Sequence, residues 1–211
     1  MKPDRLTCGV VLLAAGQGSR MGGVPKCLLT IAGTTLLERH LAAMAAADID
    51  HIVVVSGHYH DRVEPLAASF PVTLVRNPDP DAGQPSSVRL GVEALGGDVD
   101  LLIVALADQP LVGSAELREL VEAFAQRPDG TDVVYPEVHG ERGNPVAFSG
   151  ALIRSMLASG RLALRKFIDD HPQRVHRHRT ANEHFIVDLD TPEDIDALRQ
   201  RTGWQLALPA A

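Results

Sequence analysis

Three stretches of this chain, "GVVLLAA" at 9–15, "HIVVVSG" at 51–57 and "DLLIVALAD" at 100–108, are apolar at consecutive rather than alternate positions. A strand with one wet face alternates apolar and polar residues, because successive side chains point to opposite sides. An uninterrupted apolar run belongs in a sheet covered on both faces, which means a mainly parallel sheet between helices. The intervening segments carry helical spacing: "TTLLERHLAAMAAAD" with Thr34 or Thr35 near its cap, "SSVRLGVEAL", and "SAELRELVEAFAQ" with Ser114 as cap. "VTLVRNP" adds a strand, and "DVVYPEVHGERGNPVAFS" reads as two strands joined through a turn at Gly140 to Gly143, an antiparallel element. Helices around "ALIRSMLASG" and "RKFIDDH", a strand "EHFIVDLD" and a helix "PEDIDALRQRTG" complete the chain. The pattern predicts α/β: one domain over 1–211, a mainly parallel sheet with helices on both faces, and a loose tail from about 204 to 211.

In open α/β sheets, ligands collect at the carboxyl ends of the strands. The strand exits here are "AAGQGSRMGGVPK", "SGHYH", "RNPDPDAGQPSS", "ADQP" and "VDLD", all rich in Gly, Pro, carboxylates or hydroxyls. The first fits neither familiar phosphate loop. Met21 stands where a dinucleotide fold has its third glycine, and Lys26 is flanked by Pro25 and Cys27 rather than by the Gly and Ser/Thr of a P-loop. It still has the parts of a polyphosphate cradle. Small residues at Ala14, Ala15 and Gly16 admit close approach, Gly18 and Gly22 permit left-handed turns that aim N–H groups at an anion, and Arg20 and Lys26 supply charge. Taken alone, a glycine-rich turn with solvated cations reads equally well.

Bulk properties narrow the classes. The chain has 211 residues with 45% hydrophobic and 22% charged, ordinary for a globular domain, and a net charge of −7 argues against nucleic acid as the main partner. No apolar run approaches the ~20 residues of a membrane span, and "MKPDRLTCGV" does not read as a signal peptide. Cys8 and Cys27 lack metal-ligand spacing and are read as reduced thiols of a cytoplasmic protein; an activated Cys27 beside Lys26 is the minor alternative. His58 and His60 have no third ligand nearby and are read as loop residues, and "RVHRHRT" as a solvated strand edge.

"LLAAGQGSRMGGVPKCLLTIAG" resembles the signature of nucleotidyltransferases with a Rossmann-like α/β fold. Sugar-phosphate members carry a longer insertion between the two cations, and methylerythritol phosphate members usually follow the lysine with glutamine and an aromatic residue. The short "PK-x-L-L" form is most similar to the molybdenum cofactor cytidylyl- and guanylyltransferases. "GQPSSVRLGVEAL", "LADQPLV", "RGNPVAFS" and "VDLDTPEDIDAL" resemble further segments of that family in the same order, over about Val10 to Leu198.

The resemblance implies a triphosphate site at Leu13, Ala14, Ala15, Gly16, Gly18, Ser19, Arg20 and Lys26, with Ser56, Asn77, Asp79, Ser86 and Ser87 as candidate base, ribose and substrate contacts. It implies Mg²⁺ on Asp108, a hard cation suited to carboxylates and phosphate oxygens, joined by Asp188 from another segment. A turn or cap role for Asp108 is the alternative. Asp188 and Asp190 would share one face of a strand, whereas Thr191, Pro192 and Asp194 have the spacing of a helix cap. Related guanylyltransferases tend to carry asparagines at these two places, so Asp190 is assigned to the acceptor with Asn144 and Arg165.

The implied reaction is attack by an acceptor phosphate on the α-phosphorus of CTP, expelling pyrophosphate, with Arg20, Lys26 and Asp108 as the catalytic set. CTP-using members tend to read L-A-A-G, as Leu13 to Gly16 do, and GTP-using members L-A-G-G. Molybdopterin is the implied acceptor, and a molybdenum hydroxylase the implied transient client. The family's acceptor motif is incomplete: Arg165 fits, but Arg161 and Ala163 stand where aspartate and glycine are usual. GTP, another phosphorylated acceptor, and a non-catalytic cofactor chaperone stay open. A sugar-phosphate enzyme would need a hexose-binding face that the sequence does not show.

Overall fold

In the computed structural model, which describes residues 5–207, the first apolar run becomes β1 (Cys8–Ala14) at the middle of the sheet. Its side chains divide by parity. Val10, Leu12 and Ala14 enter a buried cluster on one face, and Val11 and Leu13 enter a second on the other. Each fully buried aliphatic side chain is worth about 1.5–3 kcal/mol of transfer free energy, so both halves of the pattern favour the same doubly covered sheet.

The elements follow in order: β2 (Thr30–Ile31), β3 (Thr34–Thr35), α1 (Leu36–Ala46), β4 (His51–Ser56), α2 (His60–Ala67), β5 (Thr73–Arg76), α3 (Gln84–Leu95), β6 (Leu101–Leu106) and α4 (Ser114–Ala125). Then come β7 (Val133–Val138), β8 (Glu141–Arg142), β9 (Val146–Ser149), α5 (Gly150–Ser159), α6 (Leu164–Asp170), β10 (Val175–Arg179), α7 (Pro192–Thr202) and β11 (Leu206–Ala207). The main sheet runs β10-β7-β9-β6-β1-β4-β5, with β8 paired to β7. β4, β1, β6 and β5 are parallel, and β9 is antiparallel to β6 and β7.

Helices α1, α2 and α4 cover one face through residues such as Leu41, Val63 and Phe124. Helices α3, α5 and α6 cover the other through Val92, Ile153 and Phe167. At Gly91 of α3 an added Cβ would lie 2.3 Å from Val11, so that glycine lets the helix seat directly on β1. A third cluster, Met21, Leu29, Ile31, Leu36, Leu111, Leu189 and Leu198, ties β2 and α7 beneath the glycine-rich loop. Among the described residues no helix is long and apolar enough to cross a membrane.

The fold corrects several local expectations. Thr35 caps α1 in a reciprocal box with Glu38, but Ser114 is the first residue of α4: Gly113 is its cap, its N–H held by Glu116. His60 opens α2 rather than lying in a loop. The "DVVYPEVHGERGNPVAFS" segment makes three strands, not two, with a cis peptide before Pro145. "EHFIVDLD" is no strand. Residues Glu183–Ile186 form a 3-10 turn whose Phe185 carbonyl is taken by Gln109 and by the Asn144 N–H, while the Leu189 N–H goes to Asp108. The backbone is engaged by loops, so no ladder forms. Of the tail expected from 204 to 211, Leu206 and Ala207 pair with β2, and 208–211 lie outside the described residues.

Candidate functional site

The loop after β1 is held by its own backbone. Gly18 is left-handed (φ 64°), and an added Cβ there would sit 2.0 Å from the Val24 carbonyl oxygen, a position closed to any other residue. The Gly18 carbonyl accepts from the N–H groups of Met21 (2.9 Å) and Gly23 (3.0 Å), and Met21 anchors the turn in the third cluster. The Tyr59 hydroxyl reaches the carbonyls of Gln17 (3.0 Å) and Gly23 from the β4 exit. Gly16 has open space where a side chain would be, facing a pocket of about 210 Å³.

Lys26 stands at the centre of the charged groups. Its Nζ donates to Asp190 Oδ1 (2.5 Å) and Asp108 Oδ2 (3.2 Å), with its side chain only 15% exposed. Arg20 contacts the other oxygen of Asp190 at 2.8 Å. Burial works to raise Asp190, but the Lys26 hydrogen bond and charge, with Arg20, outweigh it and hold the carboxyl below the usual range. Asp188 goes the other way, pushed up to about 6 by burial and by the negative charge of Asp108, against the opposing hydrogen bond of Gln109. Its Oδ1 is buried and without a partner. A partnerless buried oxygen beside a second carboxylate is what a hard divalent cation would satisfy. Among the described residues no group of three or more His, Cys, Asp or Glu is placed to hold a metal ion, so a cation here would draw on Asp108, Asp188 and phosphate.

Two adjoining pockets flank this centre. The first is floored by Leu13 to Gly16 and bordered by Lys26, Asp108, Pro80, Gln84 and Ser87. The second, about 330 Å³, shares Gln84 and Leu106 with the first. Its apolar walls include Val146, Phe148, Leu164 and Ile168, and it carries Asn144 and two cations, Arg142 and Arg165. Arg142 lies 5.1 Å over the Tyr135 ring, and burial lowers its pKa.

Residues 10–176 match the family of MobA-like NTP transferase domains. The chain belongs to that family. As an NTP transferase domain it is similar over 132 residues, at 36% identity, to the bifunctional protein GlmU of Mycobacterium marinum, covering 59% of this chain. That match spans 27% of the relative, so the chain corresponds to about a quarter of the curated proteins it resembles. A nucleotidyl transferase from Methanothermobacter thermautotroptrophicus superposes at TM-score 0.74 and 29% identity, covering 92% of this chain and 97% of the other. A 4-diphosphocytidyl-2C-methyl-D-erythritolsynthase from Anaerococcus prevotii superposes at 0.75 over 95% and 97% of the two chains, at 14% identity, which speaks to fold alone.

Within the NTP transferase domain, Leu13, Ala14, Ala15, Gly16, Gly18, Lys26, Ser87 and Asp108 converge on the first pocket. Asn144 and Arg165 share the second. Other sequence candidates lie elsewhere. Ser56 is fully buried, donating to Glu64 at 2.6 Å, and Asn77 donates to Ser86 and Ser87 and accepts from the Asp79 N–H, so both brace loops and line neither pocket. Ser86 is likewise turned to the Gly83 carbonyl, and Asp79 and Ser19 are exposed outside the pocket linings. Asp190, assigned to the acceptor, forms ion pairs with Lys26 and Arg20. Cys27 lines the first pocket, yet burial pushes its thiol up to about 12, which runs against the activated-thiolate alternative. Sequence reading missed Gln84, Arg142 and Gln109. Arg142 follows a glycine turn and reads as solvated, and only the pairing of β8 with β7 brings it to the pocket.

Proposed function

We propose that this NTP transferase domain moves CMP from CTP to the phosphate of molybdopterin and releases pyrophosphate. The observation that carries the reading is the Lys26 ammonium held between Asp108 and Asp190 at the mouth of the first pocket, with the partnerless Asp188 oxygen beside it. A triphosphate entering there would replace carboxylates as the partner of Lys26, and Arg20 would follow it. Both cations would then face charge that grows on the α-phosphate and the leaving group, the kind of stabilisation worth most when the donors are already aimed. Asp108 and Asp188 are the residues to hold Mg²⁺, which when bound supplies charge neutralisation at phosphate oxygens. The acceptor phosphate is anionic near neutral pH and needs no general base, so the protein's task is alignment. Arg165, Arg142 and Asn144, which line the second pocket, would receive an anionic acceptor with an apolar or planar body.

The CTP preference rests on Leu13-Ala14-Ala15-Gly16. The Ala15 methyl packs against Gly57, where an added Cβ would lie 2.7 Å from it, so Ala15 acts by fixing the spacing of two strand exits. The test is pyrophosphate release with Mg²⁺ and molybdenum-loaded molybdopterin, offering CTP and GTP separately. Release with CTP is the expected result, GTP alone would overturn the base assignment, and silence with both would remove molybdopterin as acceptor. Loss of release in Asp108→Ala with acceptor binding retained would separate an enzyme from a cofactor chaperone.

A further inference from the structure

Gln109 follows Asp108 at the exit of β6, fully buried and lining neither pocket. A side chain with no surface acts only through what it touches. Its Nε2 donates to the Phe185 carbonyl at 3.2 Å, and the same side chain hydrogen-bonds Asp188. A carbonyl and a carboxylate both accept, and an amide nitrogen carries two hydrogens, so Nε2 is able to serve both. Gln109 thereby ties residues 185 and 188 of the closing segment to the β6 exit. The backbone adds a tie beside it, from the Leu189 N–H to the Asp108 carbonyl at 3.0 Å.

Packing alone does not ask for an amide here. Gln109 Oε1 is buried and without a partner, an unmatched acceptor that a methionine of similar volume would not bring. The Phe185 carbonyl also accepts from the Asn144 N–H at 2.9 Å, so it would stay bonded without Gln109. Asp188 would lose the donor that holds its carboxyl, whose Oδ1 is already partnerless. We propose that Gln109 is a positioning residue for the metal centre, its amide fixing Asp188 against Asp108 so that both carboxylates meet one divalent cation. That role rests on the function proposed above, in which these two aspartates hold Mg²⁺. Groups that orient a metal-ligating side chain are worth about 10–100-fold in metal affinity.

The experiment titrates the full chain with Mn²⁺ in place of Mg²⁺ and follows the EPR signal of the free ion. The α,β-methylene analogues of CTP and GTP are present in separate runs, since neither releases pyrophosphate. With whichever analogue supports binding, Gln109→Met is expected to weaken Mn²⁺ about tenfold, with circular dichroism unchanged. Affinity for the analogue in EDTA should not change, because Gln109 lines neither pocket. Unchanged Mn²⁺ affinity, or an equal loss of analogue binding in EDTA, would overturn the proposal. Should Gln109→Met fail to fold, Gln109→Asn keeps an amide one methylene too short to span both partners. The same loss of Mn²⁺ affinity is expected there, and unchanged affinity again counts against the role. Asp108→Ala separates the two readings. Loss of Mn²⁺ in that variant, with Gln109→Met like wild type, would leave the metal site standing and remove the role of Gln109 alone. A wild-type chain that takes up no Mn²⁺ with either analogue would overturn both.

Discussion

The two pockets of this NTP transferase domain are built by opposite means. The first is a product of backbone: strand exits from β1 and β6, glycine turns, and carbonyls locked by Tyr59. The second is a product of side chains, with two arginines and an asparagine standing on apolar walls from β9 and α6. On the function proposed above, the backbone site would take what all nucleoside triphosphates share, and the side-chain site would be free to diverge with the acceptor. The incomplete family motif around Arg161 to Arg165 sits on the side that is free to vary.

The sharpest test of that contrast is Lys26→Ala, which removes a side chain bound to both Asp108 and Asp190. Pyrophosphate release is expected to fall about a thousandfold, with circular dichroism unchanged. On the function proposed above, Arg142→Met and Arg165→Met should each raise the acceptor KM about tenfold and leave the nucleoside triphosphate KM alone, since neither lines the first pocket. Equal effects on both substrates would mean that the pockets are one.

Asp188→Asn separates stability from function. In the folded state this carboxyl holds its proton up to about pH 6, above the usual carboxylate range. A raised acid pKa means that the native state binds more protons than the unfolded chain, so stability declines as pH rises through that window. The variant has no charge to bury and is expected to gain about 1–2 kcal/mol at pH 7.5, discounted for partial exposure, and nothing near pH 4. Denaturant melts at the two pH values check it. Mg²⁺ should stabilise the wild type and not the variant. Smallest is Tyr59→Phe, which takes one hydroxyl from the loop carbonyls and should cost about 1 kcal/mol, read as a several-fold rise in the nucleoside triphosphate KM.

The parallel half was legible because burial on both faces writes itself as consecutive apolar residues, as in Val10 to Leu13. The closing segment was not. "EHFIVDLD" has the composition of a strand, but its fate depends on partners far away in sequence: Glu116 binding His184 at 2.7 Å, and Gln109 binding the Phe185 carbonyl. The same holds for Ser56 and Asn77. Their types suit a nucleotide site, and only Glu64 and the two serines of α3 show that they are engaged in bracing. That Asp108 and Lys26 would meet was readable because their segments leave strands whose positions were already fixed.

A loop with glycines at 16, 18, 22 and 23 invites the expectation of a flap that folds over its nucleotide. Gly18 says otherwise, since the place its side chain would take is filled by the Val24 carbonyl. Here glycine serves tightness instead of looseness. A triphosphate meeting a cradle that is already set has little chain entropy to remove, so capture should be governed by encounter and charge, slowing with added salt rather than with solvent viscosity acting on a moving lid.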